Sequence, residues 1–250
     1  MDGKRNLKLT IAYEGTRYLG WQKTAMGPSI EEALEKTAAQ ILQHEIALQA
    51  ASRTDAGVHA EGQIVNFFTD SSLPLERLQK SLNGLLPDDI SVLQIEEAHQ
   101  SFHPTLDSRG KEYHYFVCNG PAQLPFHRQF SWHFGYPLNF ENMEKAALHL
   151  LGKHDFSAFT NERQDDNVRE VYKIAIEPLP DQRIKIRVSG NNFLYKMVRN
   201  IVGTLLYVGC GKIAWEAIPA ILINQDRTQA GMTAPAQGLV LKEVWYDTTK

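Results

Sequence analysis

The sequence predicts an α+β protein of two similar halves, each a mainly antiparallel sheet backed by helices, which leaves the other sheet face, or a cleft between the halves, open for a ligand. Three observations predict it. Apolar residues alternate with period two in several short segments and recur at helical spacing in others, without regular βαβ alternation. The same loose order of strand, helix and strands returns after residue 105, so the halves are expected at residues 1–105 and 106–250. A stretch at residues 120–136, rich in Gly, Pro and aromatics, reads as a long loop inside the second half.

Residues 6–13 alternate Leu7, Leu9, Ile11 and Tyr13 against Asn6, Lys8, Thr10 and Ala12, the pattern of a half-buried strand that ends in a turn around Glu14-Gly15-Thr16. Ser29 followed by Glu32 is a capping-box signature, and Ile30, Ala33, Leu34, Thr37, Ala38, Ile41 and Leu42 then mark a helix over residues 29–43. Strands are expected at 46–50, 63–68 and 90–96, with a helix starting at Pro74 and stopping before Pro87. In the second half the expected elements are a strand at 111–118, a helix at 139–151, strands at 171–177 and 183–188, an amphipathic helix at 192–208 and a closing strand at 239–246.

The 250 residues are 43% hydrophobic, ordinary for a globular chain. Only Cys118 and Cys210 are available for a disulfide, the first residues lead straight into a strand pattern, and no apolar run approaches a membrane span. A reduced, cytoplasmic protein without a membrane segment is expected. A net charge of -3 argues against indiscriminate coating of nucleic acid, which depends on many phosphate contacts. Any RNA-binding charge must therefore be local. Arg183, Lys185, Arg187, Lys196 and Arg199 supply such a concentration, with no Asp or Glu between them. In residues 183–188 the alternation buries Ile184, Ile186 and Val188 and puts three cations on the other face, suited equally to RNA or to water.

Residues 51–60, Ala-Ser-Arg-Thr-Asp-Ala-Gly-Val-His-Ala, are too polar for a strand interior and too short for a helix. They read as a tight loop in which Gly57 adopts positive φ and Asp55 is fixed beyond a strand end; alone, this is an ordinary Asx-type turn. Its context is more specific. The runs Tyr13-Glu14-Gly15-Thr16-Arg17-Tyr18-Leu19-Gly20-Trp21-Gln22, Arg53-Thr54-Asp55-Ala56-Gly57-Val58-His59-Ala60 and Phe193-Leu194-Tyr195-Lys196-Met197-Val198-Arg199-Asn200 follow one another in that order. Together with residues 62–67, 155–159, 201–205 and 234–239, they make the chain resemble the TruA family of tRNA pseudouridine synthases nearly end to end.

The resemblance implies the pseudouridine synthase fold, with its active site in the cleft between the halves. It also implies isomerisation of uridine to pseudouridine at positions 38–40 of the tRNA anticodon stem-loop, by a homodimer needing no cofactor and no metal. Asp55 would be the catalytic nucleophile, a role open to a carboxylate because the glycosidic bond must break and reform without redox chemistry. Arg199 would pair with it, since burial opposes ionisation of a carboxylate and a nearby cation restores it. Tyr113 would stack on the flipped uracil, while Tyr115, on the same strand face, would pack in the core. Arg53 would fill the space that the flipped base leaves. The sequence departs from the family where Ser52 replaces a common Gly and where Phe102-His103-Pro104-Thr105 replaces Phe-His-Ala-Arg, which removes a potential phosphate contact at Thr105.

Other signals point elsewhere less well. Gly209-Cys210-Gly211-Lys212 lacks the Ser or Thr and the glycine spacing of a phosphate loop and reads as a helix C-terminal cap. The nine histidines show no metal-ligand pairing on a helix. His59 either contacts RNA or shapes the loop. The rival functions are an RNA-binding protein without turnover and a glycosidic hydrolase, which generally needs a second carboxylate that no motif here supplies.

Overall fold

Alternation and helical periodicity translate into ten strands and five α-helices among the described residues, 4–162 and 164–247, of the computed structural model. In chain order these are β1 (Arg5–Tyr13), α1 (Ile30–Leu42), β2 (Gln49–Ala50), β3 (His59–Thr69), α2 (Leu75–Leu85), β4 (Ile90–Ala98), β5 (Ser108–Cys118), β6 (Trp132–His133), α3 (Phe140–Leu148), β7 (Gly152–Asp155), β8 (Val168–Pro178), β9 (Arg183–Gly190), α4 (Met197–Gly209), α5 (Ile218–Asn224) and β10 (Leu239–Tyr246). They form two units: residues up to Arg109 together with those from Leu241 onward, and Gly110–Val240. The division is thus not into the contiguous stretches 1–105 and 106–250. The end of the chain belongs to the first unit because β10 pairs with β3, where Lys242 also meets Glu61 and the Tyr246 hydroxyl donates to the Pro104 carbonyl at 2.7 Å.

In the first unit the strand order is β4-β1-β3-β10, with β1 antiparallel to both β3 and β4 and the short β2 on β3. Leu7, Leu9 and Ile11 of β1 are fully or almost fully buried, and Leu9 lies opposite Val65 on one side and Ile95 on the other. Each such side chain contributes about 1.5–3 kcal/mol on burial. α1 starts where the capping signature places it, the Ser29 hydroxyl accepting the Glu32 N–H at 3.3 Å. α2 is locked to β4 by Asn83, whose side-chain amide donates to the Val92 carbonyl at 2.9 Å and accepts its N–H at 2.7 Å. The expected strand at 46–50 shrinks to two residues.

In the second unit the order is β5-β9-β8-β7, all antiparallel, with β6 parallel to β5. Val117, Tyr115 and Tyr113 of β5 face Ile184, Ile186 and Val188 of β9, and all six are buried. α4 differs from the expected amphipathic helix at 192–208. It begins five residues later and is buried almost all round, from Met197 and Val198 through Ile201, Leu205 and Leu206 to Val208. An all-round apolar helix is a core helix. The later start has a local cause: the Asn191 side chain accepts the N–H groups of Glu170 and Asn192, Asn192 accepts that of Phe193, and Lys196 is left-handed at φ 60°. At its other end Gly211 N–H bonds to Val208 O and Lys212 N–H to Tyr207 O, so the Gly-Cys-Gly-Lys run is a Schellman cap. The 120–136 stretch is a loop that includes the two-residue β6 and is held by Asn119, whose amide donates to the carbonyls of Phe134 and Tyr136.

Candidate active site

The loop expected at residues 51–60 is present but shorter, because His59 and Ala60 already belong to β3. Its head is a turn in which the Asp55 carbonyl accepts the Val58 N–H at 3.1 Å and Gly57 takes φ 77°, a value that a type II turn requires at that position. The turn rests on the run at residues 13–21. Trp21 N–H donates to Thr54 O at 3.0 Å, Gly57 N–H to Tyr18 O at 3.3 Å, and the Tyr13 and Thr54 hydroxyls bond at 2.7 Å. Tyr18 is fixed in turn, its hydroxyl donating to Asp89 at 2.7 Å. Asp55 is thereby held half-buried at the head of an immobilised turn.

Gly20 makes this approach possible. Its φ is +99°, and a Cβ there would lie 2.7 Å from Thr54 O and 3.1 Å from Ala56 N. Gly20→Ala is expected to lower unfolding stability by about 1–3 kcal/mol, the usual strain of a non-glycine residue in that region. Urea denaturation measures it, and an unchanged midpoint would show that the run at 13–21 does not constrain the loop.

The neighbours of Asp55 divide by role. Arg53 is exposed, and among the described residues its guanidinium has no hydrogen-bond or ion-pair partner. His59 is 3% exposed and its Nδ1 accepts the Gly15 N–H at 3.0 Å, so it shapes the loop. Ser52 has no positive φ, and the Gln63 amide exchanges bonds with its backbone N–H and carbonyl; the common glycine is not needed there. Thr105 also acquires a purpose: its hydroxyl donates to Ala50 O at 2.8 Å, at the entrance to the loop.

In the second unit, Tyr113 is buried and meets the Phe193 ring in a T-shaped contact at 5.5 Å. Tyr115 is fully buried, and its hydroxyl donates to Pro235 O at 2.7 Å. Burial pushes the Tyr115 phenol upward, against the opposing charge of Arg199. Arg199 stands in the first turn of α4, half-buried; its Nε donates to Ala234 O at 2.7 Å, while Ala234 N–H donates back to Arg199 O at 3.1 Å. Beside it the buried Asn200 accepts from Arg227 and Thr233 and donates to Phe159 O and Asn161. Ala234 and Pro235 thus hold Arg199 and Tyr115, while Phe159 holds the neighbouring Asn200. Asp55 and Arg53 belong to the first unit, Tyr113 and Arg199 to the second.

The basic strand is β9, and its cations are not free. Arg187 grips Glu112 through Nε at 3.0 Å and Nη2 at 3.2 Å and reaches Glu177 at 3.2 Å; Lys185 meets Glu177 at 2.7 Å, and Arg183 meets Asp181 at 2.7 Å. Burial works against the Glu112 carboxylate, yet hydrogen bonds from Arg187 and His114 hold it below the ordinary range. The local excess of positive charge seen along the chain is largely cancelled in space by acids from β5, β8 and the β8–β9 turn.

A family described as tRNA pseudouridine synthase matches residues 9–106 and 146–247. A tRNA pseudouridine synthase A 2 of Protochlamydia amoebophila is 53% identical over 247 residues, covering 97% of this chain and 94% of the relative. A tRNA pseudouridine synthase A of Thermoanaerobacter sp. is 45% identical over 244 residues, covering 97% of this chain and all of the relative, and one of Myxococcus xanthus is 44% identical over 242 residues, covering 96% and 91%. The matched residues take in the Asp55 turn, the 13–21 run that carries it, and the Arg199 helix; the chain belongs to the tRNA pseudouridine synthases, isomerases acting on tRNA.

Proposed function

We propose that this synthase isomerises uridine at positions 38–40 of the tRNA anticodon stem-loop, with Asp55 as the nucleophilic carboxylate. The observation that carries the reading is the immobilised turn presenting Asp55, which the backbone of residues 18–21 fixes at Thr54 and Gly57. Positioning of this kind is what a covalent step asks of a nucleophile. Tyr113 is the stacking platform for the uracil, Arg199 a cation at the bound nucleotide, and Arg53 the side chain that replaces the flipped base in the stem. Extrusion of a stacked base costs a few kcal/mol, and stacking on an aromatic ring returns about 1–3 kcal/mol of it. The protein works in the cytoplasm, without cofactor or metal, as a homodimer. Among the described residues no helix is long and apolar enough to cross a membrane.

Unmodified tRNA incubated with the protein, then treated with carbodiimide and read by primer extension, is expected to give stops for pseudouridine at 38–40. Modification confined to other positions would overturn the site assignment, and sedimentation as a monomer the assembly.

A further inference from the structure

A buried ammonium lies on the tyrosine face of β5. Lys111 is 3% exposed, and its Nζ donates to Asn192 Oδ1 at 3.1 Å. Lys111 and Tyr113 are two residues apart on one strand, so both project to the same side, opposite Gly190 and Val188 of β9. The turn after β9 ties them together. Asn192 Oδ1 also accepts the Phe193 N–H at 3.0 Å, and the Phe193 ring makes the T-shaped contact with Tyr113. Lysine, asparagine, phenylalanine and tyrosine form one interlocked group.

Structure alone is a poor reason for a lysine here. Taking an ammonium out of water is costly, and a methionine would fill a similar volume without that cost. Burial draws the Lys111 pKa down to about 8, which leaves the amine mostly protonated at neutral pH, charged and in a dry setting where a hydrogen bond from it is strong. Buried charges of this kind cluster where reactions need them.

We propose that Lys111 Nζ donates a hydrogen bond to a carbonyl oxygen of the uracil held on Tyr113 and stabilises the negative charge that the base acquires during isomerisation. The inference rests on the reading given under Proposed function. When the C1'–N1 bond breaks, its electron pair leaves with the uracil and spreads over N1 and the carbonyl oxygens, while the Asp55 carboxylate bonds to C1'. The base turns, C5 returns the pair by bonding to C1', and the carboxylate leaves. The C5 proton is lost to water, and N1 takes one from water. If the carboxylate adds instead to C6 of the ring, the displaced pair also runs to a carbonyl oxygen. On either route Lys111 keeps its proton and acts as a preorganised donor to the developing charge.

The test compares Lys111→Met and Lys111→Arg with the wild type in single-turnover release of tritium from C5 of uridine in tRNA, alongside tRNA affinity and melting temperature. Lys111→Met is expected to react about 100-fold more slowly or worse, on the scale of one lost oxyanion donor. Its tRNA affinity should stay within about threefold, and Lys111→Arg should recover at least about tenfold of the rate. Target uridines carrying sulfur at position 2 or 4 locate the contact without any protein variant. Sulfur is a weak acceptor, so one of the two should slow the wild type while slowing Lys111→Met no further. A Lys111→Met rate within about threefold of wild type would overturn the proposal. So would equal loss of rate, affinity and melting temperature in both variants, or thio effects that persist undiminished in Lys111→Met. Failure of the underlying reading is separately visible, because then the wild type itself forms no pseudouridine.

Discussion

Asp55→Asn is expected to abolish release of tritium from C5 of uridine in tRNA, lowering the rate by at least about 10⁴-fold, the scale on which an enzyme loses its nucleophile. The substitution isolates chemistry from architecture. The Asp55 carbonyl, Thr54 and Gly57 all make bonds that hold the turn, and Asn is as acceptable as Asp at the head of a turn. Tritium-labelled tRNA should therefore still bind, and the melting temperature should stay close to that of the wild type. Residual release within about tenfold would remove Asp55 from the nucleophile's role and leave the family's activity to be carried by another group. Free uracil from the wild type would favour glycosidic hydrolysis, whereas binding without release by the wild type would mark an RNA-binding protein without turnover.

What the sequence reveals about this site is uneven, for physical reasons. A turn is a local event, so the Asp55 loop, its Gly57 and the neighbouring strands can be read from a few consecutive residues. The role of residues 13–21 cannot. That run reads as a strand end and a turn, and its meaning depends on backbone bonds from Tyr18 and Trp21 to a loop more than thirty residues away. α4 shows a different failure: helical spacing places its body correctly, but the asparagine bonds of residues 191–193 and the left-handed Lys196 compete with the helix and delay its start. α5 and β7 escape notice because seven and four residues are too short for periodicity to declare itself. Lys111 escapes for another reason. In the run Arg-Gly-Lys-Glu-Tyr it looks like one surface cation among several, and only its burial beside Asn192 distinguishes it.

β9 shows most clearly how a linear pattern misleads, and it yields the second large effect. Arg187→Glu is expected to destabilise the protein by about 3 kcal/mol, near the lower end for a buried ion pair broken from one side, because Arg187 is itself a third exposed while Glu112 is almost fully buried. The reversed charge would leave the Glu112 carboxylate facing another carboxylate, with Glu177 close by. The same network sets an acid limb. Glu112 and Glu177 both titrate below their unfolded values, Glu112 against the opposing effect of burial and Glu177 chiefly through its bond from Lys185. Their contribution is therefore complete above the unfolded carboxylate range near pH 4.5 and is lost as pH falls through the lower folded values. Urea midpoints measured from pH 7 down to pH 3 should fall steeply for the wild type and less steeply for Arg187→Glu. Had the three cations been free for phosphate, the same variant would keep its stability and lose tRNA affinity together with part of its salt dependence. With Glu112 and Glu177 already holding Arg187, the affinity of the folded variant should change by less than about threefold. A tenfold loss of affinity at wild-type stability would instead make β9 part of the RNA-binding surface.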